Sequence, residues 1–217
     1  MKVGRLKFDK TFLFFSIALM VVGFFIFNSA SLALLAKETS NYSNVAFSQM
    51  VFGLFGGTVA LIVASRLNFN FWKKLAFYLL IIAVILNILV LVPGIGFEHG
   101  GAKRWISVLG VSLQTSEILK FAFILYFALW CASVKERIKT FRYGLLPLLI
   151  LLGISAGLLV MQPDTDNLML IGIAGTTMLI VAGGRLKHVF IIALIGIVGL
   201  ATLYFVHPHI KARINSF

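Results

Sequence analysis

Cysteine is nearly absent. Cys131 is the single one in 217 residues, so no intrachain disulfide can form, and its place inside an apolar run suits a packing residue. Charge is scarce, at 12% of residues. The four histidines, His99, His188, His207 and His209, have no metal-ligand spacing on one helix. No zinc, phosphate-loop or nucleophile-elbow pattern occurs. Apolar length, by contrast, is abundant: 60% of residues are hydrophobic and the mean hydropathy is +1.04. A soluble domain of this size cannot hide that much apolar surface. The runs are continuous rather than alternating, which argues for helical spans of roughly 17–25 residues and against a transmembrane barrel.

The expected class is therefore an all-α integral membrane protein, a polytopic bundle of about seven transmembrane helices. The spans are expected near residues 12–28, 45–64, 75–92, 117–134, 143–161, 168–182 and 189–206. Asn28 to Ser31 closes the first, and Arg66 to Lys74 reads as a linker with Trp72 at the interface. A signal peptide would explain the basic start, but six further runs favour an uncleaved first span. The net charge of +12 does not point to nucleic acid, because the basic residues sit in short loops between apolar runs. With the N-terminus cytoplasmic, the inner segments hold 13 of the 19 Lys and Arg, as the positive-inside rule favours.

The long segment 93–116 then becomes an outer loop, and its Lys103-Arg104-Trp105 cluster stands out. Arg offers a planar fork for phosphate oxygens, Lys a point charge, and Trp favours the headgroup level. The cluster suits an anionic substrate headgroup, and equally a plain anchor to anionic lipid. Glu117 and Lys120, spaced i, i+3 at the edge of a span, can share one helix face and pair. Their pair is either functional or a structural one at a helix start with Ser116 as N-cap. Asp164, in the turn Gln162-Pro163-Asp164, is read first as a cap of the sixth span; holding a divalent cation or orienting a substrate hydroxyl are the alternatives.

In their order, Gly101-Ala102-Lys103-Arg104-Trp105-Ile106, Ser112-Leu113-Gln114-Thr115-Ser116-Glu117 with Lys120, Gln162-Pro163-Asp164 and Ile210 to Phe217 resemble the FtsW/RodA/SpoVE (SEDS) family. The linker Gly183-Gly184-Arg185-Leu186-Lys187 looks more like its FtsW branch. The resemblance implies a multi-pass protein of the bacterial cytoplasmic (inner) membrane, active in cell division or cell shape as a peptidoglycan glycosyltransferase that polymerises lipid II. It implies substrate binding by Lys103, Arg104, Trp105 and Asp164, with Glu117 and Lys120 as a supporting ion pair. It further implies a class B penicillin-binding protein transpeptidase and other division proteins as partners. It leaves the cofactor open, a divalent cation being one candidate in the complete family member. The family's catalytic Asp lies in a His-Thr-Asp-Phe-like motif of a later outer loop, which residues 1–217 do not contain. The expectation is thus one incomplete SEDS-type domain over residues 1–217, with no catalytic residue of its own, no metal ligands and no polymerase activity alone. Thr115, where the family usually has Pro, and Thr165-Asp166-Asn167, where it has a Gly-Thr-type continuation, are departures. Two rivals remain: a lipid II flippase or transporter, and a non-catalytic scaffold of the division machinery.

Overall fold

The computed structural model describes residues 10–35, 55–99, 102–108 and 111–206. The N-terminal basic residues before Lys10, the start of the second expected span and the C-terminal segment 207–217 lie outside them. The chain divides into two units, Met1–Asn68 and Phe69–Phe217.

Among the described residues there are seven α-helices, each overlapping one expected span. The first unit contributes α1 (Lys10–Leu35) and α2 (Gly56–Arg66). The second contributes α3 (Phe69–Leu89), α4 (Thr115–Val134), α5 (Leu146–Met161), α6 (Thr165–Val181) and α7 (Leu186–Val206). Three stretches, Phe69–Leu89, Thr115–Lys139 and Phe141–Met161, are long and apolar enough to cross a membrane by length and composition. Large apolar side chains stay exposed along the helices, among them Phe77, Ile85, Ile150, Ile173 and Val198. Such faces need an acyl environment rather than water.

Several boundaries differ from those read in the sequence. Helix α1 runs on through Asn28-Ser29-Ala30-Ser31 to Leu35, because small polar residues do not break a helix as Pro or Gly does. The expected linker Arg66–Lys74 is mostly helix: α3 begins at Phe69, and Trp72 meets Phe121 edge-on at 6.1 Å. The basic linker after α4 is ordered as a 3-10 helix, Lys135–Lys139, and a π-helical turn, Phe141–Leu145.

The largest correction concerns 93–116. It is a three-stranded antiparallel sheet, not a loop: β1 (Gly96–His99), β2 (Ala102–Val108) and β3 (Val111–Gln114). Val92-Pro93-Gly94-Ile95 leads into it, with Ile95 N–H donating to the Val92 carbonyl at 3.3 Å and Gly94 at φ +90°. That is a type II turn, with Pro and Gly at the two positions it favours. His99 pairs with Ala102 and Val108 with Val111, so each neighbouring pair of strands is antiparallel to its last described residues.

The core of the second unit joins α3 to α7. Leu119, Phe123 and Phe127 of α4, Leu148 and Leu159 of α5, and Ile171 and Leu179 of α6 are fully buried in it. At Gly175 the close packing is most evident: a Cβ there would come within 2.8 Å of Leu148 Cδ1 and 3.0 Å of Phe123 Cζ. Small residues allow this approach where water supplies no driving force between helices.

Candidate functional site

Four helix ends of the second unit meet under the sheet: the C-terminal ends of α3 and α5 and the N-terminal ends of α4 and α6. The chain reverses at each of these points, so residues far apart in sequence converge. Asp164 sits at their centre, 1% exposed, the one buried carboxylate among the described residues. A buried carboxylate is costly unless it is paired and hydrogen-bonded, and here it is both.

Arg104 Nη1 donates to Asp164 Oδ1 at 3.0 Å. Asn167 Nδ2 donates to Oδ2 at 3.0 Å, and Gln114 Nε2 lies 3.4 Å from the same oxygen. A bulge in the sheet lies at the origin of the Arg104 contact. Phe97 pairs with Trp105, but Glu98 pairs with Lys103, so Arg104 is the extra residue on β2. Bulges commonly re-aim a side chain beside a functional site. The arginine thus reaches across 60 positions of sequence. Its neighbours differ: Lys103 is exposed, Trp105 half-buried and Ile106 buried.

Asp164 occupies the N-cap position of α6, yet its side chain makes no capping hydrogen bond. The cap is thus one of position and charge rather than of a side-chain hydrogen bond, since the guanidinium and two amides claim both carboxylate oxygens. Ser116, by contrast, is not an N-cap. Helix α4 begins one residue earlier, at Thr115, with Gln114 in the cap position and no side-chain cap. Ser116 Oγ instead accepts from Asn167 Nδ2 at 3.0 Å.

Lys120 Nζ lies 2.9 Å from Glu117 Oε1 and donates to Asn167 Oδ1 at 3.1 Å. Asn167 therefore joins two charged pairs: its carbonyl faces Lys120 and its amide faces Asp164. The chain Glu117, Lys120, Asn167, Asp164, Arg104 runs from a half-exposed carboxylate to a buried one (53% and 1%). Both helix N-termini carry acidic groups, where the helix dipoles favour them.

A second, neutral network lies directly beneath. Asn87 is fully buried. Its Nδ2 donates to the carbonyls of Ala83 (2.8 Å) and Thr115 (3.0 Å). Gln162 Nε2 donates to the Asn87 carbonyl at 2.9 Å and to its Oδ1 at 3.1 Å. Thr115 Oγ1 lies 3.2 Å from Asn87 Oδ1 and 3.5 Å from the Arg104 carbonyl. The threonine hydroxyl thus connects both networks, which a proline there could not do.

Of the residues singled out in the sequence, Arg104, Asp164, Glu117 and Lys120 come together. Lys103 and Trp105 lie on either side of Arg104 on β2, the lysine exposed and the tryptophan half-buried. Sequence reasoning passed over Asn87 and gave no site role to Gln114, Thr115, Gln162 or Asn167. A signal existed for Asn87: it is a lone amide in an apolar run, and polar groups within a span usually face a partner. The arrangement provides cations and amide donors beside a fixed carboxylate at one end of the bundle, suited to holding an anionic, hydroxyl-bearing headgroup.

A family model for FtsW, RodA and SpoVE, described as "Cell cycle protein", matches residues 9–217. A protein of Trichlorobacter lovleyi named "Probable peptidoglycan glycosyltransferase FtsW" is 34% identical over 209 residues, covering 96% of this chain and 54% of that protein. One of the same name from Methylomonas methanica is 31% identical over 214 residues, covering 98% and 55%. The chain spans about half the length of the curated relatives it matches. The crystal structure of the Thermus thermophilus rod shape determining protein RodA superposes with a TM-score of 0.66 at 23% identity, over 88% of this chain and 60% of that one. A structure described as "Structural coordination of polymerization and crosslinking by a peptidoglycan synthase complex" gives 0.68 at 24% identity, over 96% and 58%. At these identities the two structures speak for the fold alone.

Proposed function

The chain belongs to the FtsW/RodA/SpoVE family of membrane proteins, and from that premise we propose that it serves peptidoglycan glycan-strand synthesis as the FtsW-type glycosyltransferase does, using lipid II. The observation that carries this reading is the Arg104–Asp164 pair at the converging helix ends, linked through Asn167 to Lys120 and Glu117. In this reading residues 1–217 act as one transmembrane domain in the bacterial inner membrane, with the N-terminus cytoplasmic and the sheet outside. Lys103 and the outer edge of Arg104 meet the substrate pyrophosphate, for which a guanidinium fork is suited. Trp105 rests at the headgroup level. Asp164 holds Arg104 in place and, through Asn167, sets the distance to Lys120. Positive charge near the leaving pyrophosphate would stabilise the charge that develops there. A class B penicillin-binding protein transpeptidase and other division proteins are the partners this reading implies.

Binding of lipid II to the purified chain in detergent tests it. Lys103→Ala and Arg104→Ala should each weaken binding by roughly tenfold, about the worth of one charge-assisted hydrogen bond. Unchanged affinity in both would sink the reading. Lipid II crossing liposomes in a Lys120-dependent manner, without glycan product from any combination with a transpeptidase, would favour a flippase instead. Capture of a transpeptidase without either activity would favour a scaffold.

A further inference from the structure

We propose that the basic end of α4 and the turn entering α5 form a binding site for an anionic phospholipid, separate from the cluster around Asp164. A groove of about 350 Å³ opens there, and Tyr126, Trp130, Arg142, Tyr143, Ile150 and Leu151 are among the residues that line it. Its volume falls in the range of small-ligand sites, roughly 300–1,000 Å³.

The groove is held in shape by a specific bond. Trp130 Nε1 donates to the Tyr143 carbonyl at 2.9 Å, fastening the π-helical turn Phe141–Leu145 onto α4. That turn places Tyr143 between two cations. The Arg137 guanidinium lies 5.7 Å from the ring centroid and that of Arg142 lies 5.8 Å from it. Two like charges are thus drawn to one ring. Arg104 pairs with Asp164, Lys120 with Glu117 and Lys139 with Glu136, and among the described residues neither Arg137 nor Arg142 has a carboxylate partner. A guanidinium over a ring keeps its in-plane N–H groups directed outward, where they fit phosphate oxygens.

Charge complementarity calls for an anion, and the apolar groove beside it calls for a hydrocarbon chain. A glycerophospholipid with a net negative headgroup meets both needs. Its phosphate lies on Arg142 and Arg137, and one acyl chain runs past Tyr126 and Trp130 toward Ile150. Free phosphate would satisfy only the cations. Basic pockets between helices at a membrane surface recognise anionic headgroups by this combination.

Trp130 is a built-in reporter. With Trp72→Phe and Trp105→Phe it becomes the sole tryptophan of the three. The protein is reconstituted in phosphatidylcholine vesicles containing equal fractions of brominated phosphatidylglycerol or brominated phosphatidylcholine. Brominated phosphatidylglycerol should quench Trp130 with an apparent affinity about fivefold higher, the worth of one arginine near a membrane surface. The preference should vanish in Arg137→Gln/Arg142→Gln, whose folding is checked by far-UV circular dichroism. Equal quenching by the two lipids, or a preference that survives the double substitution, overturns the proposal. Inorganic phosphate added to the parent should leave the quenching unchanged; displacement of the brominated lipid by phosphate alone would assign the cations to a free anion and overturn the lipid reading. That arm needs no arginine variant, so it holds even if the double substitution unfolds the protein.

Discussion

Removing Arg104 should destabilise the protein more than neutralising Asp164, although the two form one ion pair. Arg104→Ala leaves a carboxylate that is 1% exposed, with Asn167 at 3.0 Å and Gln114 at 3.4 Å as its remaining side-chain donors. Breaking a fully buried pair in this direction costs about 3–5 kcal/mol. The Arg104 side chain is 23% exposed, so solvent already screens part of the attraction, and the expected loss falls to about 2–3 kcal/mol. Asp164→Asn leaves an arginine that can turn to water and an amide that still bonds Asn167. Its expected loss is about 1 kcal/mol, one hydrogen bond's worth. The double variant should lose less than the sum of the single losses by at least about 1 kcal/mol, because the orphaned charge is gone. Denaturant unfolding in detergent micelles, followed by far-UV circular dichroism, measures all three. Asp164→Asn proving as harmful as Arg104→Ala, or strict additivity in the double variant, would refute the asymmetry and with it the burial argument.

Further predictions concern the joints around that pair. Asn167→Asp should destabilise more than Asn167→Ala, because it sets a second carboxylate about 3 Å from Asp164 Oδ2; the alanine variant should lose about 1–3 kcal/mol for its unpaired neighbours in the same unfolding assay. Asn87→Leu should lose roughly 2–4 kcal/mol, since Gln162, Thr115 and two backbone carbonyls lose partners together, whereas Gln162→Met should lose less. Gly175→Val should raise the proportion of aggregated protein on size exclusion and lower stability by about 1–3 kcal/mol or more, as its Cβ alone would press on Phe123 and Leu148. In lipid II binding, Lys103→Ala should weaken affinity without changing unfolding, because Lys103 is exposed on β2; a parallel drop in stability would place it in the fold rather than at the substrate.

What the sequence by itself determined was the helical membrane architecture and the residues worth attention. Apolar runs of spanning length leave few alternatives to a helix bundle, because an unpaired backbone cannot face lipid. The motif order around Lys103, Glu117 and Asp164 pointed to the family, and Glu117 with Lys120 needed only the i, i+3 rule, a local relation. Asn28 and Lys73 sit inside helices and blur the helix ends in the sequence by a few residues, since polarity marks an interface and not a break. The turn at Pro93-Gly94 was legible as the end of a span, but the strands after it were not, because a short polar segment between spans carries no alternation that separates strand from loop.

Only the tertiary structure decided the partners of Asp164. The i, i+3 logic that pairs Glu117 with Lys120 cannot join residues 60 positions apart, and nothing in the order of residues announces a bulge that turns Arg104 inward. For the same reason a local view gives Asp164 no role beyond a helix cap and gives Asn87 none. Long-range polar contacts are fixed by which helix ends the bundle brings together. Their physical cause is that a carboxylate or amide closed off from water at that junction must find its hydrogen bonds among whatever groups the fold delivers there.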